Sequence, residues 1–591
     1  MDIESIIKKA KNGTNLIVDH DIDGYIINID GDIHFVPWSS EARQQVDSIR
    51  EASEESVQSE YADDLIFGKD KREGVVSLEI DNNEIILYYN DKTVEKLPMV
   101  YWILAPFKID EHYKKLEGNL HYKYIRTFKT FNGFKKYANY YRKKDVDVFR
   151  IWNAKEQAMI YHGITMFKGL KVKDVSVLSF DIESNGLVKD DTSKVFLITN
   201  TFRDTDGEVV KKHFRLDHYE SDCEMIEDWC KWVVEVDPSV ITGHNIFGYD
   251  CPYLQHCYAD RDGHRRTLPI GKFGHEMSVD NYIAKFRVDG SNAWDYQKIQ
   301  IPGRHVVDGM FLSVKYDIGR NFPSWGLKPI AQHLGIINED RQFYDASQIG
   351  KNWHIPEERE KIVAYGIDDS DDSLALYDIM IPSMFYMCQY IPKPFQIIGT
   401  SASGAQLNSV LVRAYMQENH SIPKADESLK VYGGISFGIP GIHKNVFKVD
   451  VLSEYPSIIR AFNVYPITKD PKKYYLKMVN YFTERRFEQK NKYKETGDSY
   501  YDDLQASSKI FINSSFGLGG TGGLNFNDYK MADFITAMGR QIIKDTIKWA
   551  TGKPLSCWWK DYEDEKDKLY EGGLRRYESY TEFVKVNKIY D

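Results

Sequence analysis

The feature that most restricts this chain is a short apolar run, Val175–Phe180, that ends in Asp181-Ile182-Glu183. On a strand, residues i and i+2 share a face, so Asp181 and Glu183 point the same way. Two carboxylates side by side repel unless a cation joins them, and oxygen ligands suit a hard ion such as Mg²⁺. Taken alone, the string also reads as decoration of a strand end. Further strand candidates follow at Val195–Thr201, His213–Leu216 and Val240-Ile241-Thr242, with helical spacing over Cys223–Val234. Strands alternating with helices predict an α/β layer domain.

Two more acidic positions belong with this pair. Asp250 ends the string Gly243-His244-Asn245-Ile246-Phe247-Gly248-Tyr249-Asp250, just past a strand end. Tyr365 and Asp369 are spaced i, i+4 on a predicted helix through Tyr377 and so share one side. A Tyr hydroxyl beside a metal-bound carboxylate can orient a water. Four carboxylates can hold two metal ions, one activating water and the other stabilising a leaving 3′ oxygen.

In this order, FDIE, GHN…YD and Y-x3-D resemble the three exonuclease motifs of family B DNA polymerases. The resemblance implies a ribonuclease-H-like 3′–5′ exonuclease domain. In it Asp181, Glu183, Asp250 and Asp369 bind metal, Tyr365 positions water, and Asn245 touches the single-stranded 3′ end. Tyr249 stands where the family usually has Phe. Gly303-Arg304 with Asp308 resembles a family element between the second and third motifs.

A second set of strings resembles the polymerase half of the same family. Asp450-Val451-Leu452-Ser453-Glu454-Tyr455-Pro456-Ser457-Ile458-Ile459 is similar to the first palm motif, with Glu454 in place of Leu. This implies that Asp450 holds the catalytic metals at a strand end and that Tyr455 packs under the incoming sugar. Lys509, Asn513 and Phe516 recur at helical spacing and resemble the fingers motif, with Phe516 in place of Tyr. By that match Lys509 meets the triphosphate, Arg486 and Lys490 clamp it, and Phe516 stacks. Tyr432-Gly433-Gly434 matches an element where backbone approaches a DNA strand. Gly517–Gly523 lacks the GK[ST] of a phosphate loop and reads as a flexible turn. Lys588-Ile589-Tyr590-Asp591 resembles the strand entering the D-T-D-S hairpin, which makes Asp591 a further metal-binding carboxylate.

Length and composition set the outer bounds. At 591 residues the chain is too long for one core. The expected division is an N-terminal domain over 1–174, the exonuclease over 175–378, palm over 379–470, fingers over 471–525 and further palm over 526–591. The expected class is multidomain α/β: exonuclease plus an incomplete right-hand polymerase lacking its thumb. Ile391-Pro392-Lys393-Pro394 reads as a linker, Glu41–Leu65 as a charged helix, and Val75–Ile80 with Glu84–Tyr89 as a hairpin. The charge of −11 excludes a broadly basic nucleic-acid coat, so DNA contacts must be local. Six scattered cysteines without CxxC fit a reducing compartment. His244, Cys251, His256 and Cys257 suit no common zinc spacing. Asp368, Asp369, Asp371 and Asp372 lack the EF-hand glycine and terminal Glu. No apolar run suits a membrane span, and Met1–Ala10 lacks a signal-peptide pattern, so cytoplasm (a host's, for a virus) is expected.

The function expected is a DNA-directed DNA polymerase with proofreading exonuclease. Each active site is expected to take two Mg²⁺ or Mn²⁺ ions. Primer-template DNA, single-stranded 3′ ends and dNTPs are the expected substrates. A C-terminal fragment carrying the rest of palm and thumb is an expected partner, joined at a position where inteins interrupt the family, and a sliding clamp is another. The alternatives are a stand-alone exonuclease with a polymerase remnant and a non-catalytic DNA-binding scaffold. The intact acidic set argues against the scaffold; Asp450, Tyr455, Lys509 and Asn513 argue against the remnant.

Overall fold

The computed structural model describes residues 16–21, 24–29, 32–37, 61–259, 267–288, 292–337, 341–427, 432–451, 453–559 and 577–590. The chain forms two compact units, Met1–Gly68 and Lys69–Asp591. In the first, β1 (Leu16–Asp21), β2 (Gly24–Ile29) and β3 (Asp32–Pro37) make an antiparallel meander. A helix follows over Tyr61–Phe67. Of the helix expected over 41–65, positions 41–60 lie outside the described residues.

The second unit opens with a meander of β4 (Val75–Asp81), β5 (Glu84–Tyr89) and β6 (Val94–Pro98). Its first turn is the expected one: Asn82 and Asn83 take φ of 47° and 63°, the left-handed pair that a two-residue hairpin loop needs. β7 (Tyr101–Ala105), β8 (Lys114–Lys115) and β9 (Tyr124–Phe128) form the next sheet, in the order β7-β9-β8. The helix Phe131–Lys143 packs on β7 and β9.

The central sheet has the order β12-β11-β10-β13-β16. Its strands are β10 (Val177–Ser184), β11 (Val195–Arg203), β12 (Val209–Arg215), β13 (Val240–Gly243) and β16 (His305–Asp308). β10, β11 and β12 pair antiparallel, while β13 joins β10, and β16 joins β13, in parallel. β14 (Ser278–Arg287) and β15 (Ala293–Gln300) stand apart as a hairpin.

Strand alternation sorts the two faces. Phe180, Ile182 and Ile198 enter one core with Trp229 of the helix Asp222–Val236, whose indole N–H donates to Asn200 Oδ1 at 2.9 Å. Leu197 faces the other way, into a cluster with Ile362 and Val363 of the helix Pro356–Met380. Asp181 and Glu183 share that second face, so the fold lays the 25-residue helix over the carboxylates.

The later half is helical among the described residues, and β16 is their last strand. Tyr474–Thr496 and Ser499–Gly520 form an antiparallel pair. Gly497 ends the first in the left-handed region at φ 69°, and Asp498 caps the second by accepting from Tyr500 N–H at 3.0 Å. Tyr529–Thr551 is the third long helix.

Four local expectations are corrected. Ile391–Phe395 is not an exposed linker: all five residues are buried, and Lys393 pairs with Glu156. Gly517–Gly520 is helix rather than turn; a Cβ on Gly404 would sit 3.2 Å from Gly517 backbone, so small residues let two helices touch here. Val446–Asp450 forms no strand, because a strand needs a ladder partner and no described residue offers one. Lys588–Tyr590 is a turn after the helix Tyr580–Val586, which Ser579 caps by accepting from Glu582 N–H at 3.2 Å. Among the described residues no helix is long and apolar enough to cross a membrane.

Candidate active site

β10 is buried along nearly its whole length, and its register sets Asp181 opposite Thr199 of β11 and Glu183 opposite Leu197. The register shifts between Glu183 and Ser184, and pairing resumes at Ser184 opposite Val195. Over the strand runs the helix Pro356–Met380. Thr199 Oγ1 donates to Gly366 O at 2.7 Å, and a Cβ on Gly366 would meet Thr199 Cγ2 at 3.0 Å and Leu197 Cδ2 at 3.1 Å. The glycine lets the helix settle onto the sheet, and its neighbours in the helix, Tyr365 and Asp369, arrive beside the carboxylates. Oxygens of Asp181, Glu183 and Asp369 lie within 4.8 Å of one another.

Asp250 opens the helix Asp250–Tyr258 and is buried. It stands outside that close cluster but is tied to it, since Ile182 N–H donates to Asp250 Oδ1 at 3.2 Å. The loop before it is held by Asp308, which accepts from the backbone N–H of Asn245 at 3.0 Å, Phe247 at 2.9 Å and Met310 at 2.9 Å. Asn245 takes φ 67°, a strained position that Asn tolerates better than most residues. Arg304 is buried; it donates to Ile270 O at 2.8 Å and pairs with Asp237 at 2.7 Å. The Gly-Arg…Asp string is therefore scaffolding: its arginine locks a turn and its aspartate holds a loop. Tyr249 donates to Gly186 O at 3.1 Å and bonds Ser184, using the hydroxyl that a Phe would lack.

The electrostatics match a site built for cations. Burial, then Asp250, Asp369 and Glu183 as like charges, pushes the Asp181 carboxyl well above its usual range. Burial and Asp369 do the same for Glu183. Burial raises Asp250 to about 7 and Asp308 to about 6. The Tyr365 phenol is pushed up by burial and by Asp369. These groups resist carrying negative charge side by side until a positive partner arrives. Asp181, Glu183 and Asp369 thus fit a divalent cation by donor type and separation, and Asp181 and Glu183 also by the charge they resist carrying.

Two residues at this site escaped sequence reasoning. Lys328, on the helix Leu327–His333, donates to Asp369 Oδ2 at 3.1 Å and to Tyr365 Oη. Arg341, almost fully buried, pairs with Asp369 and with Asp372, the latter at 2.7 Å. No spacing pattern points to either; a lone cation in a loop-rich stretch is usually a solvated one. His244 bonds Trp325 O at 2.8 Å and, with Cys251 and Cys257, joins no metal set among the described residues.

The residues of the second string set come together in part. Arg486 Nη1 donates to Ser453 Oγ at 2.9 Å, ahead of the helix Glu454–Ala461. Tyr455 lies 4.8 Å from Phe516 between ring centroids, and a Cβ on Gly434 would sit 3.4 Å from its hydroxyl. Arg540 donates to Gly433 O at 2.5 Å. Lys490, Lys509 and Asn513 are exposed on the helix pair, and Tyr432 is exposed on the segment before Gly433. Asp450 lies on an exposed irregular segment. Asp591 is outside the described residues.

Comparison with known proteins agrees with this geometry. Residues 163–330 match the family described as "DNA polymerase family B, exonuclease domain". The chain is 24% identical to a DNA polymerase of Archaeoglobus fulgidus over 412 residues, covering 64% of this chain and 48% of that protein. It is 25% identical to DNA polymerase 1 of Pyrococcus abyssi over 423 residues, covering 65% of this chain and 52% of that one. The chain thus spans about half the length of these curated relatives. The solved family B DNA polymerase of Pyrobaculum calidifontis shares its fold with a TM-score of 0.61 and 18% identity, over 80% of this chain and 71% of that one. Residues 163–330 thus match the family B DNA polymerase exonuclease domain, and the chain is similar to archaeal DNA polymerases.

Proposed function

We propose that this protein is a metal-dependent 3′–5′ exonuclease acting on single-stranded DNA ends, within a DNA-directed DNA polymerase that uses it for proofreading. One observation carries the reading: three carboxylates from a strand and a helix converge within 4.8 Å beside a buried tyrosine. Divalent cations such as Mg²⁺ or Mn²⁺, when bound, supply activation of water and stabilisation of the leaving 3′ oxygen. Asp181, Glu183 and Asp369 hold them, with Asp250 completing the set from the adjoining helix. Tyr365 directs its hydroxyl at the same space and orients the attacking water. Lys328 keeps Asp369 and Tyr365 in register. Asn245 meets the 3′-terminal nucleotide from its loop. The central sheet order, with three antiparallel strands followed by two parallel ones, supports the ribonuclease-H-like assignment.

The test is digestion of a 3′-labelled single-stranded oligonucleotide. Wild-type protein with Mg²⁺ shortens it stepwise, and Asp181→Ala slows this by about a hundredfold or more, since it removes a shared ligand. Digestion at the wild-type rate by Asp181→Ala refutes the assignment.

Synthesis is the second part of the proposal. Arg486, Lys490 and Lys509 bind the triphosphate of a dNTP, Asn513 and Tyr455 bound its sugar, and Phe516 with Tyr432-Gly433-Gly434 lies along primer-template DNA. Asp450 and Asp591 hold its two metal ions. The contact between Tyr455 and Phe516 and the bond from Arg486 to Ser453 favour this. The exposed, irregular setting of Asp450 favours a different reading, in which exonuclease is the activity this chain performs unaided and synthesis needs a second polypeptide. Primer extension by the chain alone, at a rate comparable to its digestion, decides for the first.

A further inference from the structure

His244 leaves β13 on a loop whose backbone is fixed on both sides. Asp308 accepts from the N–H of Asn245 and of Phe247, and Gly243 runs so close to β10 that a Cβ on it would sit 2.5 Å from Phe180 O. The imidazole Nε2 lies 2.8 Å from Trp325 O. A carbonyl oxygen can only accept, so Nε2 carries the proton and donates it. Nδ1 is buried without a hydrogen-bond partner, and a Cβ on Gly309 would stand 3.5 Å from it. Burial pushes the ring down to about 4, although the Trp325 carbonyl and Asp369 both favour its charged form. Among the described residues, then, this neutral ring makes one hydrogen bond, and it goes to the backbone of a segment far away in sequence.

Trp325 O lies three residues before Lys328. The Trp325 ring itself faces the hairpin side, meeting Trp294 of β15 at 6.4 Å and Phe322 at 6.2 Å, with the Arg320 guanidinium 5.5 Å away. The helix Leu327–His333 that follows has only seven residues, and its N-cap, Gly326, brings no side chain to the first turn. So short a helix holds its place by packing and anchoring, not by its own propensity. On that first turn stands Lys328, whose ammonium reaches Asp369 Oδ2 at 3.1 Å and Tyr365 Oη. A flexible four-carbon stem keeps such a position only where its backbone is fixed. The bond from His244 fixes the backbone where the helix begins.

We propose that His244 is a positioning residue for the exonuclease: by anchoring the Trp325 carbonyl it sets the helix Leu327–His333, and with it the Lys328 ammonium, on Asp369 and Tyr365. The effect on rate rests on the exonuclease reading; the effect on Lys328 does not. The loop that presents Asn245 to the 3′ end and the helix that steadies a metal-holding carboxylate are thereby joined by one bond. A proton-carrying role for His244 does not fit, because Nε2 is committed to Trp325 O and Nδ1 faces Gly309.

Three substitutions separate the bond from the bulk of the ring. His244→Phe keeps a ring and removes the donor, His244→Gln places an amide N–H at about the reach of Nε2, and His244→Asn falls short of Trp325 O. Digestion of a 3′-labelled single-stranded oligonucleotide should slow about tenfold in His244→Phe and in His244→Asn, and less than about twofold in His244→Gln. His244→Phe combined with Lys328→Met should be no slower than Lys328→Met alone, since both remove the same support. A second readout needs no activity. Acylation of Lys328 by an N-hydroxysuccinimide ester in EDTA, followed by mass spectrometry, should be faster in His244→Phe and His244→Asn than in the wild type or His244→Gln, with exposed Lys135 as internal reference. His244→Asn carries both measurements if His244→Phe folds poorly. Losses that multiply in the double variant overturn the proposal, as do equal losses in His244→Gln and His244→Asn, or Lys328 reactivity unchanged in every variant. If no form digests DNA, the exonuclease assignment falls, and the acylation rates alone decide whether His244 holds Lys328.

Discussion

Asp369 shows how far a single side chain depends on its surroundings. It is buried, and its two oxygens are met by different cations, Lys328 on one and Arg341 on the other. Lys328 also reaches Tyr365, so one ammonium sets the spacing of two site residues. Lys328→Met leaves that carboxylate oxygen and the phenol without their shared donor. The expected result is a fall in exonuclease rate of about tenfold or more with little change in melting temperature. A rate within twofold of wild type would remove Lys328 from the site. The carboxyls also make a pH prediction. Asp181 and Glu183 are held above their usual range, and Asp250 near 7. Unfolded carboxyls lose their protons near 4, so between about pH 4 and 7 the metal-free native state binds more protons than the unfolded chain. Its stability therefore falls as pH rises through that window. Thermal melts in EDTA should show the fall, and Mg²⁺ should reverse it at pH near 7.5 but not near pH 4.

At the scale of elements, the site depends on how one helix meets one sheet. Gly366 lies against Thr199 and Leu197 with no room for a branched side chain. Gly366→Leu should lift Pro356–Met380 away from β10, costing about 1–3 kcal/mol of stability. The loss of exonuclease activity should be larger in proportion, because Tyr365 and Asp369 move with the helix; denaturant unfolding and oligonucleotide digestion measured together check the ratio. This arrangement also explains what could be read from sequence. Asp181 and Glu183 announce their shared face by strand alternation, and Tyr365 and Asp369 by helical spacing, because both are local periodicities. Arg341 and Lys328 come from loop-rich stretches and meet Asp369 only through the fold. The Gly517–Gly520 stretch misleads for the same reason: glycine suggests a turn locally, and only the packing of Gly404 against it explains glycine inside a helix. Val446–Asp450 has the composition of a strand, but pairing is a property of two segments, and composition reports one.

At the scale of the whole molecule, the matched family segment ends at residue 330, before Tyr365 and Asp369. The carboxylate cluster nevertheless closes only with the helix beyond it. The crossing into the helical half is equally integrated. Ile391–Phe395 is buried, with Lys393 on Glu156, Ser409 on the same carboxylate at 2.8 Å, and Phe395 against Phe167 at 5.1 Å. What reads in sequence as a Pro-rich hinge is a seam, closed by side chains from segments more than two hundred residues apart.

That seam governs how the chain comes apart when cut. Proteases need backbone that can be drawn into an extended form, and they find it at exposed irregular stretches. The segment 432–451 has this character, with Ile442 97% exposed and Phe447 91%. The pair of prolines at 392 and 394 does not. Brief trypsin digestion of the native protein should therefore cleave at Lys444 or Lys448 while Lys393 survives until the protein unfolds. Mass spectrometry of the first fragments will show which bond goes first. An early cut after Lys393 is excluded twice over, by the proline that follows it and by burial, so Lys393→Gln with a less specific protease such as proteinase K is the stricter trial. Scission between Ile391 and Phe395 in the native wild-type protein would mean that the seam opens on its own.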